Sequence, residues 1–231
     1  DRFESRGLGD VYKRQTSNGD AEKSVIFESF PVGPLQCNCS IIGDPVSRKA
    51  LIVDPGGDAE LILEKLEAHQ LVLVQIVHTH AHLDHILASG IIRERTGAPI
   101  YLHKEDKFLW DIVGEQCASI GLPAVELPEP DHWIQDDAAL DCCHGVSLHT
   151  PGHTPGSVCF WFEHLKLLVA GDTLFKNSIG RTDLPGGDYA TIEQSIKERL
   201  YVLDDEAQVI TGHGPATVIG EEKQLNMFVR A

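Results

Sequence analysis

Residues 24–30 (SVIFESF) alternate apolar and polar side chains, the period of a β-strand. Two further strands are predicted at 39–42 and 49–54, with Gly43-Asp44-Pro45 as the turn between them. The segment Asp54-Pro55-Gly56-Gly57 ends the third strand. Asp58 is placed to N-cap a helix in which Ala59, Ile62, Leu63 and Leu66 recur at helical spacing as one buried stripe. An apolar run of strand length fills 71–78. A helix is predicted at 85–95, stopped by Gly97 and Pro99 ahead of a strand at 100–103. The second half has a different rhythm. Strands at 146–150, 157–163 and 166–171 follow one another with hairpin-length links. A helix then puts Tyr189, Ile192, Ile196 and Leu200 on one face, and a short strand covers 209–211. Strand–helix alternation followed by a meander and a helix predicts a mixed α/β (α+β) fold, with two stacked sheets flanked by helices. No stretch reads as a linker, so residues 16–231 are expected to form a single domain. Residues 1–15 (DRFESRGLGDVYKRQ) have no amphipathic period and are expected to be a non-native or disordered leader.

Composition narrows the function classes. The chain has 231 residues, 19 Lys plus Arg against 35 Asp plus Glu, and a net charge of −16. Such a surplus argues against nucleic-acid binding, which needs cations to neutralise phosphates, and against anionic membranes. No apolar run approaches the roughly 20 residues of a membrane span. The 6 cysteines form no C-x-x-C pair and are too sparse for a secreted disulfide scaffold. Reduced, buried thiols and a cytoplasmic location are expected. Cys37-Asn38-Cys39 and Cys142-Cys143 are read as structural, with the first pair away from any partner motif.

Histidine changes the picture. There are 12, and three of them fall within Thr79-His80-Ala81-His82-Leu83-Asp84-His85, at a predicted strand-to-helix junction. Imidazoles and a carboxylate at this density are a metal-ligand signal. Three more candidates each follow a predicted strand. His153 lies in Thr150-Pro151-Gly152-His153-Thr154-Pro155-Gly156, Asp172 closes the strand KLLVAG, and His213 lies in Thr211-Gly212-His213-Gly214-Pro215. Seven ligands exceed one tetrahedral site and suit two metals sharing a carboxylate and a water. His78 is expected to be a packed histidine across the strand. His103, His132, His144, His149 and His164 have no partner motif.

The words HxHxDH at 80–85, VDPGGD at 53–58, TPGHTPGS at 150–157, AGDTLF at 170–175, GRTDLPGGD at 180–188 and GHGP at 212–215 resemble the metallo-β-lactamase superfamily in its glyoxalase II-like branch, most of all its short single-domain bacterial hydrolases. The resemblance implies a four-layer αββα sandwich with the site at one edge of the two sheets. It implies that His80, His82 and His153 hold one metal, that Asp84, His85 and His213 hold a second, and that Asp172 bridges them. Asp54 would orient a ligand histidine from behind; its alternative use is as a turn cap. The implied cofactors are two divalent metal ions, zinc first, with iron or manganese as alternatives.

The implied reaction is hydrolysis of a thioester of the hydroxyacylglutathione type by a metal-bridging hydroxide, a thiolate leaving with little need of a general acid. Asp84 and Asp172 are the catalytic carboxylates, both as ligands. Arg181, and more weakly Lys176, are the candidate contacts to a substrate carboxylate; for Arg181 an ion pair with Asp183 or Asp188 is the equal alternative. With 16 residues after Pro215, the helical extension that holds glutathione in the longer glyoxalase II enzymes is not expected here. The expected partner is a small thioester, with no nucleic acid and no membrane. The second reading is a mononuclear-iron persulfide dioxygenase of the same superfamily, because two histidines and one carboxylate also suit non-haem iron.

Overall fold

The structure, a computed structural model, describes residues 25–231, so the leader expected at 1–15 lies outside the described residues. Strands β1 (Ile26–Val32), β2 (Cys37–Gly43) and β3 (Lys49–Val53) form an antiparallel meander. Helix α1 (Ala59–Ala68) crosses to β4 (Val72–Val77), and helices α2 (Leu83–Ile86) and α3 (Ser89–Thr96) cross to β5 (Ile100–His103). Helices α4 (Lys107–Asp111) and α5 (Val113–Ser119) then lead to β6 (His132–Ile134). The crossovers make β3 to β6 parallel and give a six-stranded sheet in chain order.

The second sheet holds five strands in the order β13-β12-β9-β8-β7. Its members are β7 (Val146–His149), β8 (Val158–Phe162), β9 (Leu167–Gly171), β12 (Gln208–Thr211) and β13 (Thr217–Val218). A small ribbon, β10 (Leu174–Phe175) with β11 (Ser178–Ile179), follows β9. Helix α6 (Tyr189–Ser195) runs into a π-helical turn, Ile196–Leu200, and α7 (Ile219–Leu225) closes the described fold.

Alternation along the strands sets the layers. Ile42, Leu51, Val53 and Val77 of the first sheet face Phe160, Phe162, Val169 and Ile210 of the second in one buried cluster. Their neighbours Ile41, Ile52 and Ile76 point the other way, onto Ile62 and Leu66 of α1, Ile92 of α3 and Trp110 of α4. Leu168, Ala170 and Val209 likewise face Ile192, Ile196, Leu200 and Ile219. Both sheets are therefore apolar on both faces, as a helix–sheet–sheet–helix sandwich requires. Phe160 and Phe162 are fully buried between the sheets. Burying each is worth about 1.5–3 kcal/mol.

Three local expectations are corrected. The helix expected at 85–95 is two helices. The N–H of Ala88 donates to Pro55 O instead of continuing the helix, and the Asp84 carbonyl turns toward Gly56, where a Cβ would stand 1.5 Å from it. Only glycine admits that approach. Asp58 is the N-cap residue of α1 and its carbonyl accepts from Ile62 N, but its side chain does not do the capping. It sits in the left-handed region at φ 47° with no side-chain cap, and its Oδ2 accepts from Gly33 N across the chain. Tyr189 is not core: it is 45% exposed and its hydroxyl donates to Phe228 O, while Ile192, Ile196 and Leu200 are buried as expected.

Candidate metal centre

Strand ends deliver the site. Asp54 follows β3, His80 and His82 lie in the loop after β4, and Asp84 and His85 sit in α2. His153 lies in the turn after β7, Asp172 follows β9, and His213 follows β12. The structure brings all seven candidate ligands together. His80, His82 and His153 present ligand atoms within 4.8 Å of one another, and so do Asp84, His85 and His213; His80, His85 and Asp172 join the two groups. The separations are 3.0 Å from His82 Nδ1 to His153 Nε2, 3.2 Å from His153 Nε2 to His80 Nε2, and 2.9 Å from His213 Nε2 to Asp84 Oδ2.

The hydrogen-bond network fixes how three of the rings present themselves. Asp54 Oδ2 can only accept, so His85 donates from Nδ1 at 2.9 Å and its Nε2 faces the site. Arg181 O accepts from His153 Nδ1 at 2.8 Å, which leaves the His153 Nε2 lone pair facing inward. The Thr79 hydroxyl donates to Asp54 Oδ2 at 2.6 Å and so accepts from His80 Nδ1 at 3.0 Å, turning the His80 Nε2 lone pair the same way. These assignments follow from partners rather than from visible hydrogens. The lone pairs of His80 and His153 thus face each other at 3.2 Å. They repel unless a cation lies between them.

Electrostatics agree with that arrangement. Burial, reinforced by the neighbouring imidazoles, holds His80 well below the usual histidine range, lowers His82 to about 3 and lowers His153. All three are thereby kept neutral at neutral pH, the form in which an imidazole can hold a metal. Burial also opposes charge on Asp84, but His85 and the bond from His213 outweigh it and hold the carboxyl far below its ordinary value. Burial disfavours a charged His85, yet its surroundings push it well above the usual range. Cys37 cannot be the source of that field, because burial pushes its thiol to about 12. The carboxylates Asp84, Asp172 and Asp54 carry it. Among the described residues, His85 Nε2 and Asp172 Oδ1 are buried without a hydrogen-bond partner, 3.5 Å apart. Orphaned polar atoms facing each other are what metal ligands look like without their ion. The donor set fits divalent cations.

The same map shows what sequence reading missed. Cys37, expected to lie away from the motifs, has its sulfur 3.3 Å from His85 Nδ1. The packing of α2 on β2 brings it there, which strand alternation alone does not predict. Asn38 ties the His213 loop to β2: its side chain donates to Thr211 O and Gly214 O. Asp106 is fully buried and accepts from Ala81 N, Thr154 Oγ1 and Gly156 N. Burial pushes its carboxyl up to about 6. Arg181 is exposed, and its guanidinium makes a bidentate pair with Asp183 at 2.7 and 2.8 Å. Lys176 is also exposed. Neither side chain forms a hydrogen bond or ion pair with the site histidines; Arg181 meets His153 through its backbone carbonyl alone. His78 is packed as expected, donating from Nδ1 to Tyr101 O and accepting from Ser89. His103, Glu105 and His149 also come together. The two imidazoles stack at 4.2 Å and 18°, so their in-plane lone pairs run side by side instead of converging.

Residues 32–213 match the model of the metallo-beta-lactamase superfamily. The chain belongs to that superfamily. The hydroxyacylglutathione hydrolase GloC of Haemophilus influenzae is 39% identical over 209 residues, covering 89% of this chain and 98% of its own. The crystal structure of the BLEG-1 B3 metallo-beta-lactamase superposes with a TM-score of 0.82 at 36% identity, over 89% of this chain and all of that one. The TTHA1623 structure, in a di-iron-bound form, gives 0.81 at 34% identity, over 86% and 98%. The chain is a metallo-hydrolase of the superfamily, and its histidine–aspartate cluster is the metal-binding site typical of it. Among the described residues no helix is long and apolar enough to cross a membrane.

Asp54 supports this superfamily site from behind through Thr79 N, Thr79 Oγ1 and His85 Nδ1. Replacing it with alanine is expected to cost about 10–100-fold in metal affinity. Competition against a chromophoric chelator measures this; wild-type affinity would show that Asp54 serves only the turn.

Proposed function

We propose that the protein hydrolyses thioesters of the hydroxyacylglutathione type at a dinuclear centre. His80, His82 and His153 would hold one ion and Asp84, His85 and His213 the other, with Asp172 placed between the two groups. Two divalent cations in that position lower the pKa of a shared water and polarise an acyl carbonyl. The observation that carries the reading is the pair of inward lone pairs on His80 and His153 beside the orphaned His85 Nε2 and Asp172 Oδ1. The name of the Haemophilus relative, a hydroxyacylglutathione hydrolase, supports the substrate class.

The chain's own residues orient and exclude. His153 is held by Arg181 O, His85 by Asp54 and His80 by Thr79, so three ligand rings keep their facing in the absence of substrate. His80 and His85 are fully or almost fully buried, while His213 is 31% exposed at its side chain, which leaves an approach from the second-sheet side. Asp84 accepts from His213 and Asp172 is surrounded by three ligand histidines, so neither stands free as a general acid. A thiolate needs little proton donation to leave, and a thioester therefore suits this site better than an amide. The Arg181–Asp183 pair is exposed on both sides and holds its partners weakly, so a substrate carboxylate can take the place of Asp183.

Three assays on one preparation test the reading: lactoylglutathione cleavage, oxygen uptake with glutathione persulfide, and β-lactam hydrolysis, with elemental analysis alongside. Two metals per chain and thioester cleavage are expected. One iron per chain with oxygen consumption would replace this reading with the dioxygenase. β-Lactam turnover without thioester cleavage would replace it with the activity named for the BLEG-1 neighbour. Zinc is the proposed metal, and iron is the alternative that the TTHA1623 structure raises.

A further inference from the structure

The first metal group is assembled from two loops on different sheets. His80 and His82 come from the loop after β4, and His153 comes from the turn after β7. A third segment touches both. Asp106 ends a short 3-10 turn, Lys104–Asp106, that follows β5. Its Oδ2 accepts from Ala81 N at 2.9 Å, the amide between His80 and His82, and from Thr154 Oγ1 at 2.8 Å, the residue after His153. Its Oδ1 accepts from Gly156 N at 2.7 Å. The carboxylate is wholly buried, so these are its only means of compensating lost water. The fit is close: a Cβ on Gly156 would lie 2.7 Å from the Asp106 carboxyl carbon. The turn is further braced by Thr154 N and Ser157 Oγ at 3.0 Å.

We propose that Asp106 is a positioning residue for the His80–His82–His153 group alone, a strut that sets the distance between its two loops. It touches no candidate ligand side chain. The Asp84–His85–His213 group rests on other residues, Asp54 behind His85 (and, through Thr79, behind His80 as well) and Asn38 beneath the His213 loop. The strut therefore acts on one site of the pair. The inference rests on the ligand assignment given above.

Asparagine is the informative replacement, because it keeps the volume. It has one acceptor oxygen for three donors, and its amide N–H groups then face at least one of Ala81 N, Gly156 N or Thr154 Oγ1. The experiment is stepwise Co2+ binding to the metal-stripped full chain, followed by visible absorption and calorimetry. Asp106→Asn should weaken one of the two binding steps by about 10–100-fold and leave the other within about threefold. Thr154→Val, which deletes a single donor, should weaken the same step by less. A purely structural role would lower thermal stability and move both steps together; that result would overturn the proposal, as would two unchanged steps. If Asp106→Asn does not fold, Thr154→Val decides the matter, and wild-type affinity in that variant would overturn it. A wild-type chain that takes up no Co2+ would bring down the ligand assignment itself, whereas two normal steps that Asp106→Asn does not change bring down this inference alone.

Discussion

Asp172→Ala is expected to lower thioester hydrolysis by about three orders of magnitude and to cut the metal content of the purified protein. Asp172 touches both halves of the centre. Its Oδ1 lies 3.5 Å from His85 Nε2 and 3.9 Å from His213 Nε2, and its Oδ2 lies 3.6 Å from His153 Nε2. No other candidate ligand that is a carboxylate reaches both. Without it the two imidazole clusters lose the negative charge between them, and each cation would bind beside like-charged neighbours in a dry site. Loss of polarisation worth several kcal/mol corresponds to about a thousandfold in rate. Asp172→Asn keeps the shape and separates the charge from the volume; it should lose nearly as much. The measurement is steady-state hydrolysis together with metal per chain. Full activity in Asp172→Ala would refute the bridging role.

Stripping the metals is expected to lower the melting temperature by about 8–16 °C. An ion present at a thousand times its dissociation constant stabilises the folded state by about 4.1 kcal/mol. In a chain of this size each kcal/mol corresponds to about 2–4 °C. The physical origin lies in the packed rings. His80 and His85 are fully or almost fully buried, and lone pairs of His80 and His153 oppose each other. Bound ions turn those repulsions into bonds that span both sheets. Thermal melts with and without a strong chelator, followed by re-addition of Zn2+, measure the effect. A melt unchanged by the chelator at full metal removal would mean that the site folds and holds its shape unaided.

Much of the fold was legible in the sequence because its layers obey simple periods. The strands at 49–53, 72–77 and 167–171 are buried on both faces over most of their length, so they read as short apolar runs between turn residues. The stripe Ile192, Ile196 and Leu200 read as one helical face. The parts that were not legible are short or interrupted. Helices α4 and α5 have five and seven residues and meet at Ile112, which is outside helical geometry. Strands β6, β10, β11 and β13 have two or three residues, too few to show a period. The break between α2 and α3 depends on Pro55 and Gly56 docking from thirty positions away.

The candidate site divides along the same line. The ligand types, their turn residues and the placement of each after a strand are local properties, and local chain geometry is written in neighbouring residues. Convergence is not local. His80–His85 belongs to the first sheet, while His153, Asp172 and His213 belong to the second, and they meet because Phe160, Phe162 and Val169 pack on Leu51, Val53 and Val77. That packing also placed Asn38 under the His213 loop and set Asp106 between the two loops of the first group. Spacing along a strand says which face a side chain takes. Which strand ends stand opposite each other is decided by burial between sheets, a sum over contacts far apart in the chain, so the sequence determined the candidate ligands and pointed to Asp54 behind one of them, while the tertiary structure decided how they meet and that Asn38 and Asp106 also brace their loops.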